Sequence, residues 1–157
     1  MRVNLEWFEV SRAALVGVSR NVEALRKGLQ NARPTNENDW HIHVVGALGE
    51  CAFAKATGRY WSGSVNTFKA GGDVGKIQVR TRSKHSYDLI VRDDDHDDHA
   101  FVLVTGGPTE YDIRGWMRAS EAKQGKYRAN YGNYGDAYFV PASDLHPIDR
   151  FICEEPT

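Results

Sequence analysis

A chain of 157 residues has the size of one domain with a single core. Its 41% hydrophobic and 26% charged residues exclude collagen-like, simple coiled-coil and disordered chains, and its net charge of −1 shows no overall basic excess. Two cysteines, Cys51 and Cys153, are too few for a disulfide framework or a zinc quartet. We therefore expect one domain over residues 1–157, located in a reducing cytoplasm, with neither a signal peptide nor a membrane span.

Two helices are predicted in the first third of the chain. Residues 4–30 form one amphipathic helix with Arg and Glu facing outward, because seven apolar residues recur at steps of three, four or seven: Leu5, Phe8, Leu15, Val18, Val22, Leu25 and Leu29. Pro34 ends this N-terminal helix and turn, which occupies residues 1–38. A second helix, capped by Asn38 or Asp39, runs from Trp40 to Thr57 and stops at Gly58. Its small and apolar residues on nearly every side predict a deep position in the fold.

After Gly58 the pattern changes to a period of two, which predicts strands. The longest apolar run, Ala100 to Thr105, predicts a central strand. This order of elements predicts an α/β fold of the α+β type, with two N-terminal helices on a mixed central sheet and about three antiparallel strands in its first part. The other expected elements are a strand over Val65–Phe68, a turn at Gly71–Gly72, strands over Lys76–Arg82, Tyr87–Val91 and Tyr111–Met117, a helix over Arg118–Gln124, a linker over Gly125–Asp136 and a strand over Ala137–Val140.

Four polar residues form the candidate site. Asp73 follows the Gly-Gly turn, and Gln78 and Arg80, two apart on one strand, share a face about 7 Å apart. Glu50 approaches from the second helix. Carboxylate and amide oxygens are the ligands that Mg²⁺ prefers, and a bound ion of this kind lowers the pKa of its water and polarises a phosphodiester. The pattern therefore indicates a metal and phosphate site.

Three segments carry a resemblance to a known family: GALGE (46–50), GGDVG (71–75) and IQVR (77–80). Over residues 40–105 they resemble the PD-(D/E)xK nuclease superfamily, and residues 106–157 resemble the C-terminal elements of a small phage-encoded type. The resemblance implies a restriction-endonuclease-like core and a DNA nuclease that uses Mg²⁺ or Mn²⁺. It matches Asp73 to the metal-binding Asp, Gln78 to the Asp/Glu, Arg80 to the Lys, and Glu50 to an extra acidic residue on the first core helix.

Two positions depart from that family's pattern. Gln78 offers a carbonyl oxygen without a negative charge. Arg80 stays protonated and accepts no proton, although its fork can orient a phosphate. The resemblance therefore implies a metal held by Asp73, Gln78 and Glu50, with Arg80 on the scissile phosphate.

Local charge agrees with a nucleic-acid partner. Residues 51–84 contain seven basic residues against one acid, an excess of six positive charges. Besides Arg80, the residues expected to contact nucleic acid are Lys55, Arg59, Lys69, Lys76, Arg82 and Lys84.

Structural alternatives stay open for several of these features. Glu50 can instead pair with an Arg inside the fold, either Arg80 or Arg82. Asp73 can be an ordinary turn residue, and IQVR can be a half-exposed strand. The acidic segment DDDHDDH (93–99) is interpreted as a solvated turn. His41 and His43, two apart on a helix, make a poor chelate. The tyrosines of residues 127–138 either stack on single-stranded nucleic acid or pack on their own domain.

The leading hypothesis is a metal-dependent DNA nuclease. The alternative is a catalytically inactive nucleic-acid-binding or protein-binding phage protein that keeps the nuclease-like fold. DNA and a second copy of the chain are the expected partners. A membrane and a nucleotide cofactor are not expected, because the sequence contains neither a Walker A nor a dinucleotide-binding motif.

Overall fold

The computed structural model describes residues 1–29, 38–65, 72–132, 135–149 and 151. Within them the chain is a mixed α+β protein with three helices and two sheets. The elements are β1 (Arg2–Asn4), α1 (Trp7–Arg26), α2 (Asp39–Thr57), β2 (Ile77–Arg82), β3 (Leu89–Val91), β4 (Ala100–Gly106), β5 (Glu110–Arg118), α3 (Ala119–Ala122), β6 (Arg128–Asn130) and β7 (Asp136–Val140).

The main sheet has four strands in the order β1-β5-β4-β2. Strand β4 lies inside this sheet with residues 100–105 buried, which confirms the prediction of a central strand. The expectation of about three successive antiparallel strands is wrong, because β2 pairs with β4 in parallel. A parallel pair needs a long crossover, and the chain makes it by placing β3 in the second sheet, of order β3-β7-β6.

The two faces of β4 enter different cores. Val102 and Val104 pack under α2, whereas Phe101 and Leu103 pack with residues of the second sheet. Because β2 pairs with β4 residue for residue, its side chains are divided between the same two layers. This division decides where the candidate site residues point.

Helix α2 forms as predicted. The Asn38 side chain accepts a hydrogen bond from the Trp40 backbone N–H, and Gly58 ends the helix in the left-handed conformation. The small residue Gly49 lies directly against the Thr81 side chain of β2, so the helix backbone sits close to the sheet. Seven residues of the helix are buried: Ala47, Leu48, Gly49, Glu50, Ala52, Phe53 and Ala54.

Helix α1 is shorter than predicted and packs through its other side. Four residues of the helix are buried: Ala13, Gly17, Asn21 and Ala24. The apolar residues that were expected to face inward are exposed, with the exception of Leu5. Small side chains let the two helix backbones approach, and a Cβ at Gly17 would meet the backbone of His43 and Val44. The expectation that the apolar side of α1 faces inward is therefore wrong.

Other differences are local. Strands β1 and β6 were not predicted, β3 starts at Leu89 rather than Tyr87, and α3 is shorter than the expected helix. Most of the predicted strand at 65–68 and Gly71 of the predicted turn lie outside the described residues. Within the described part of the chain, neither long helix has the apolar character needed to cross a bilayer.

Candidate functional site

Glu50 is held by a cation from the neighbouring helix. Arg20 Nη1 and Nη2 of α1 donate to its Oε1 and Oε2 at 2.6 and 2.8 Å. Trp61 Nε1 donates to Oε2 at 2.9 Å, and Glu50 is only 4% exposed. Burial opposes the charge on Arg20, but the hydrogen bonds and charge of Glu50 outweigh it and raise the pKa of Arg20. Glu50 thus has a structural Arg partner, but this partner is Arg20 of α1 and not Arg80 or Arg82 as expected.

Asp73 lies in the turn that leads into β2. Its Oδ2 accepts the Val79 backbone N–H at 2.7 Å, and its own N–H donates to the Ile77 carbonyl at 2.7 Å. Burial raises the pKa of Asp73 to about 6, and the charge of Glu50 acts in the same direction. The hydrogen bond from Val79 and the charges of Arg80 and Arg20 oppose this rise. The two carboxylates therefore lie within electrostatic reach of each other.

Gln78 and Arg80 project from the opposite face of β2. Ile77 and Val79 are buried in the core under α2, so the alternating residues point to the second layer. The Arg80 guanidinium lies 4.8 Å from the centroid of the Phe101 ring and donates to Asp95 Oδ1 at 3.0 Å. The structure therefore brings Glu50 near Asp73 on one side of the sheet and places Gln78 and Arg80 on the other.

As placed, these side chains do not fit a divalent cation. Both oxygens of Glu50 face the Arg20 guanidinium, whose positive charge would repel a metal ion, and one oxygen of Asp73 is bonded to the Val79 N–H. Gln78 lies on the face of β2 opposite to Ile77 and Val79, which are buried under α2. In the described ranges, no group of three or more His, Cys, Asp or Glu residues is arranged to hold a metal.

The basic residues expected to contact nucleic acid occupy several separate places. Lys55 pairs with Glu9 at 2.5 Å, and the Arg59 guanidinium lies 5.5 Å from the centroid of the Phe151 ring. Arg82 and Lys84, at the carboxyl end of β2, lie over the ring of Tyr87. Lys76 is at the other end of the strand, and Lys69 lies outside the described residues.

Lys76 lines a cleft of about 410 Å³ at the amino end of β2. We call it the basic cleft, formed by Gly72, Lys76, Ile77, His96, Asp98, His99, Ala100 and Arg118. The rings of His96 and His99 stack with centroids 5.0 Å apart, and Arg118 Nη1 donates to the Asp98 carbonyl at 3.1 Å. Lys and Arg side chains bind phosphate groups, and this cleft is lined by two of them, Lys76 and Arg118, together with one acidic residue, Asp98.

Compared with family models, curated proteins and solved structures, the chain matches none of them.

The sequence did not point to Arg118, His96 or His99 as binding residues. Arg118 reaches the basic cleft because the β4–β5 register sets it beside Ala100, which in turn pairs with Ile77. No local pattern encodes that arrangement. His96 and His99 belong to the acidic segment 93–99, which Lys123, Arg128 and Arg80 hold in place through Asp97, Asp93 and Asp95.

Proposed function

We propose that this chain binds the phosphate backbone of DNA in the basic cleft without cleaving it, on a scaffold of the restriction-endonuclease-like kind. The main support for DNA binding is that Lys76, Arg118 and two histidines line the same cleft. Arg59 is at the same end of the main sheet, since its guanidinium lies over Phe151, whose ring packs on Trp116. The basic surface is therefore wider than the cleft itself.

The lack of cleavage follows from the contacts of the four motif residues. Glu50 is bonded to Arg20 through both oxygens, and Arg80 is bonded to Asp95 on the far side of β2. Cleavage by the expected mechanism needs all four side chains around one phosphate. The nuclease-like scaffold is supported by the three sequence segments and by the two helices beside a mixed sheet, while the parallel β2–β4 pair departs from the expected strand order.

Binding is tested by fluorescence anisotropy with labelled duplex and single-stranded DNA over a range of salt concentrations. Lys76→Ala should weaken binding about tenfold and reduce the slope of log K against log salt by about one. Lys84→Ala is the matched control, because it removes one Lys at the opposite end of β2. Equal losses in both variants, or no affinity of the unmodified protein at low salt, would overturn the proposal.

A metal-dependent nuclease is the second candidate, and one observation favours it. Asp73 is a partly buried carboxyl with a raised pKa near a second carboxylate, which is a feature of many active sites. Incubation of plasmid and single-stranded DNA with Mg²⁺, Mn²⁺ or EDTA separates the two candidates. We expect intact DNA in every case. Cleavage that requires the metal and is lost in Asp73→Asn would establish the nuclease instead.

A further inference from the structure

The solvent side of α1 carries a continuous apolar strip. Its side chains are between 37% and 69% exposed, although each would be buried in an ordinary surface helix. We call it the α1 strip, formed by Trp7, Phe8, Leu15, Val18, Val22 and Leu25. The opposite side of α1 is already occupied by α2.

The spacing of the α1 strip is that of a helix–helix seam. Phe8, Leu15 and Val22 follow one another at seven residues, and Val18 and Leu25 continue the same line at steps of three and four, with Ser11 at its one polar position. This 3.5-residue period keeps one line of side chains facing a partner helix, whereas a helix that only covers a globular core follows a period nearer 3.6. The strip therefore fits another helix of the same pattern.

The size of the strip agrees with a stable interface. At these exposed fractions its side chains present roughly 700 Å² of apolar surface, which is close to the roughly 800 Å² that each partner contributes to a standard-size complex. A patch of that size also exceeds the few hundred Å² that a monomer ordinarily exposes in one place. A second copy of the chain supplies the same area and the same spacing through a two-fold axis.

The charges beside the strip are compatible with self-association. Arg12, Ser19 and Arg26 border it on one side, and Ala14 borders it on the other, where Asn21 is buried. When two copies of α1 run in parallel, the side of one helix that carries Arg12, Ser19 and Arg26 faces the side of its partner that carries Ala14. No two like charges then oppose each other across the seam.

We infer that this chain forms a homodimer in which the α1 strips of two copies pack together. The inference is independent of DNA binding, because the basic cleft and the α1 strip have no residue in common.

Sedimentation velocity of the full chain tests this arrangement. The unmodified protein should be a dimer at micromolar concentration. Leu15→Glu/Val22→Glu should raise the dimer dissociation constant at least about 100-fold, since it places four carboxylates in an apolar seam. Both positions are exposed in the single chain, so far-UV circular dichroism and the melting temperature should change little.

Tyr60→Glu is the matched control, because Tyr60 is 86% exposed and lies outside the strip. This variant should stay dimeric. A monomeric unmodified protein, or a dimer that survives Leu15→Glu/Val22→Glu, would overturn the inference. A monomer that co-sediments with vesicles of equimolar phosphatidylcholine and phosphatidylglycerol would also overturn it and would make the strip a membrane-contacting surface.

Discussion

The guanidinium of Arg20 on α1 donates hydrogen bonds to both carboxylate oxygens of Glu50 on α2, with N–O distances of 2.6 and 2.8 Å. The same guanidinium donates through Nε to the Ser64 carbonyl at 2.9 Å, and Trp61 reaches the carboxylate from the same segment. One buried ion pair thus joins two helices and the chain that follows them. This relationship gives Glu50 a structural role whether or not the protein has a catalytic one.

Removal of Arg20 should strongly destabilise the fold. In Arg20→Ala the Glu50 carboxylate stays buried without its cation, and we expect the free energy of unfolding to fall by about 3–5 kcal/mol. Urea denaturation followed by circular dichroism measures the change. Arg12→Ala, on the exposed side of the same helix, should alter stability by no more than about 0.5 kcal/mol. An unchanged urea midpoint in Arg20→Ala would show that the pair contributes nothing.

Asp73 should make stability depend on pH between about 4 and 6. Its pKa is raised from 3.8 to about 6 in the folded chain, so in this window the folded state retains a proton that the unfolded state has released. The contribution of Asp73 to stability therefore falls as the pH rises through the window. Asp73→Asn should be more stable than the unmodified protein at pH 7 by up to about 3 kcal/mol.

The difference between the two proteins should vanish below about pH 4, where Asp73 is protonated in both states. Thermal melts of both at a series of pH values measure it, because the carboxyl groups other than Glu50, whose charge acts on Asp73, contribute equally and cancel. A constant difference across the range would contradict the raised pKa.

Gly17 should tolerate no larger side chain. A Cβ at this position would lie 2.5 Å from the Val44 Cα of α2, so Gly17→Ala must push the helices apart and should cost about 1–3 kcal/mol. Gly46→Ala on α2 is the control, since nothing lies within 4 Å of its Cβ and the helix should gain up to about 1 kcal/mol. Chemical denaturation of the two variants should therefore give shifts of opposite sign.

Arg80 should order the acidic segment rather than act on a substrate. Asp95 accepts from the Arg80 guanidinium and, through its other oxygen, from the Arg92 backbone N–H at 2.9 Å. In Arg80→Gln we expect faster amide hydrogen exchange at Arg92 and Asp95, measured by mass spectrometry of peptides covering 92–98. Arg114→Gln, an exposed position on β5, should leave exchange there unchanged. Equal protection in both variants would refute this role.

The sequence predicted α2 and β4 well because their signals are local. An Asn cap and a terminal Gly delimit α2, and an unbroken apolar run marks β4 as central. The pairing of β2 with β4 in parallel is not local. It depends on the crossover through β3, for which no pattern inside β2 provides a signal.

Periodicity established that α1 is amphipathic but not which of its sides is covered. The apolar residues form one line, yet Gly17 and the alanines face α2 because close backbone approach needs small side chains. The candidate site shows a similar limit. The alternation of side chains along a strand correctly predicted that Gln78 and Arg80 share one face of β2. Only the tertiary fold determines that α2, and Glu50 with it, covers the other face.

The bond from the Val79 N–H to Asp73 has a consequence for the outer side of the main sheet. Among the described strands, β2 has β4 as its only neighbour, and the turn at Asp73 occupies two backbone groups on the open side, the Val79 N–H and the Ile77 carbonyl. Strand edges with unsatisfied groups recruit strands from other molecules and lead to aggregation. The Asp73 carboxylate and its adjoining peptide therefore close the first part of the β2 edge to intermolecular β-pairing.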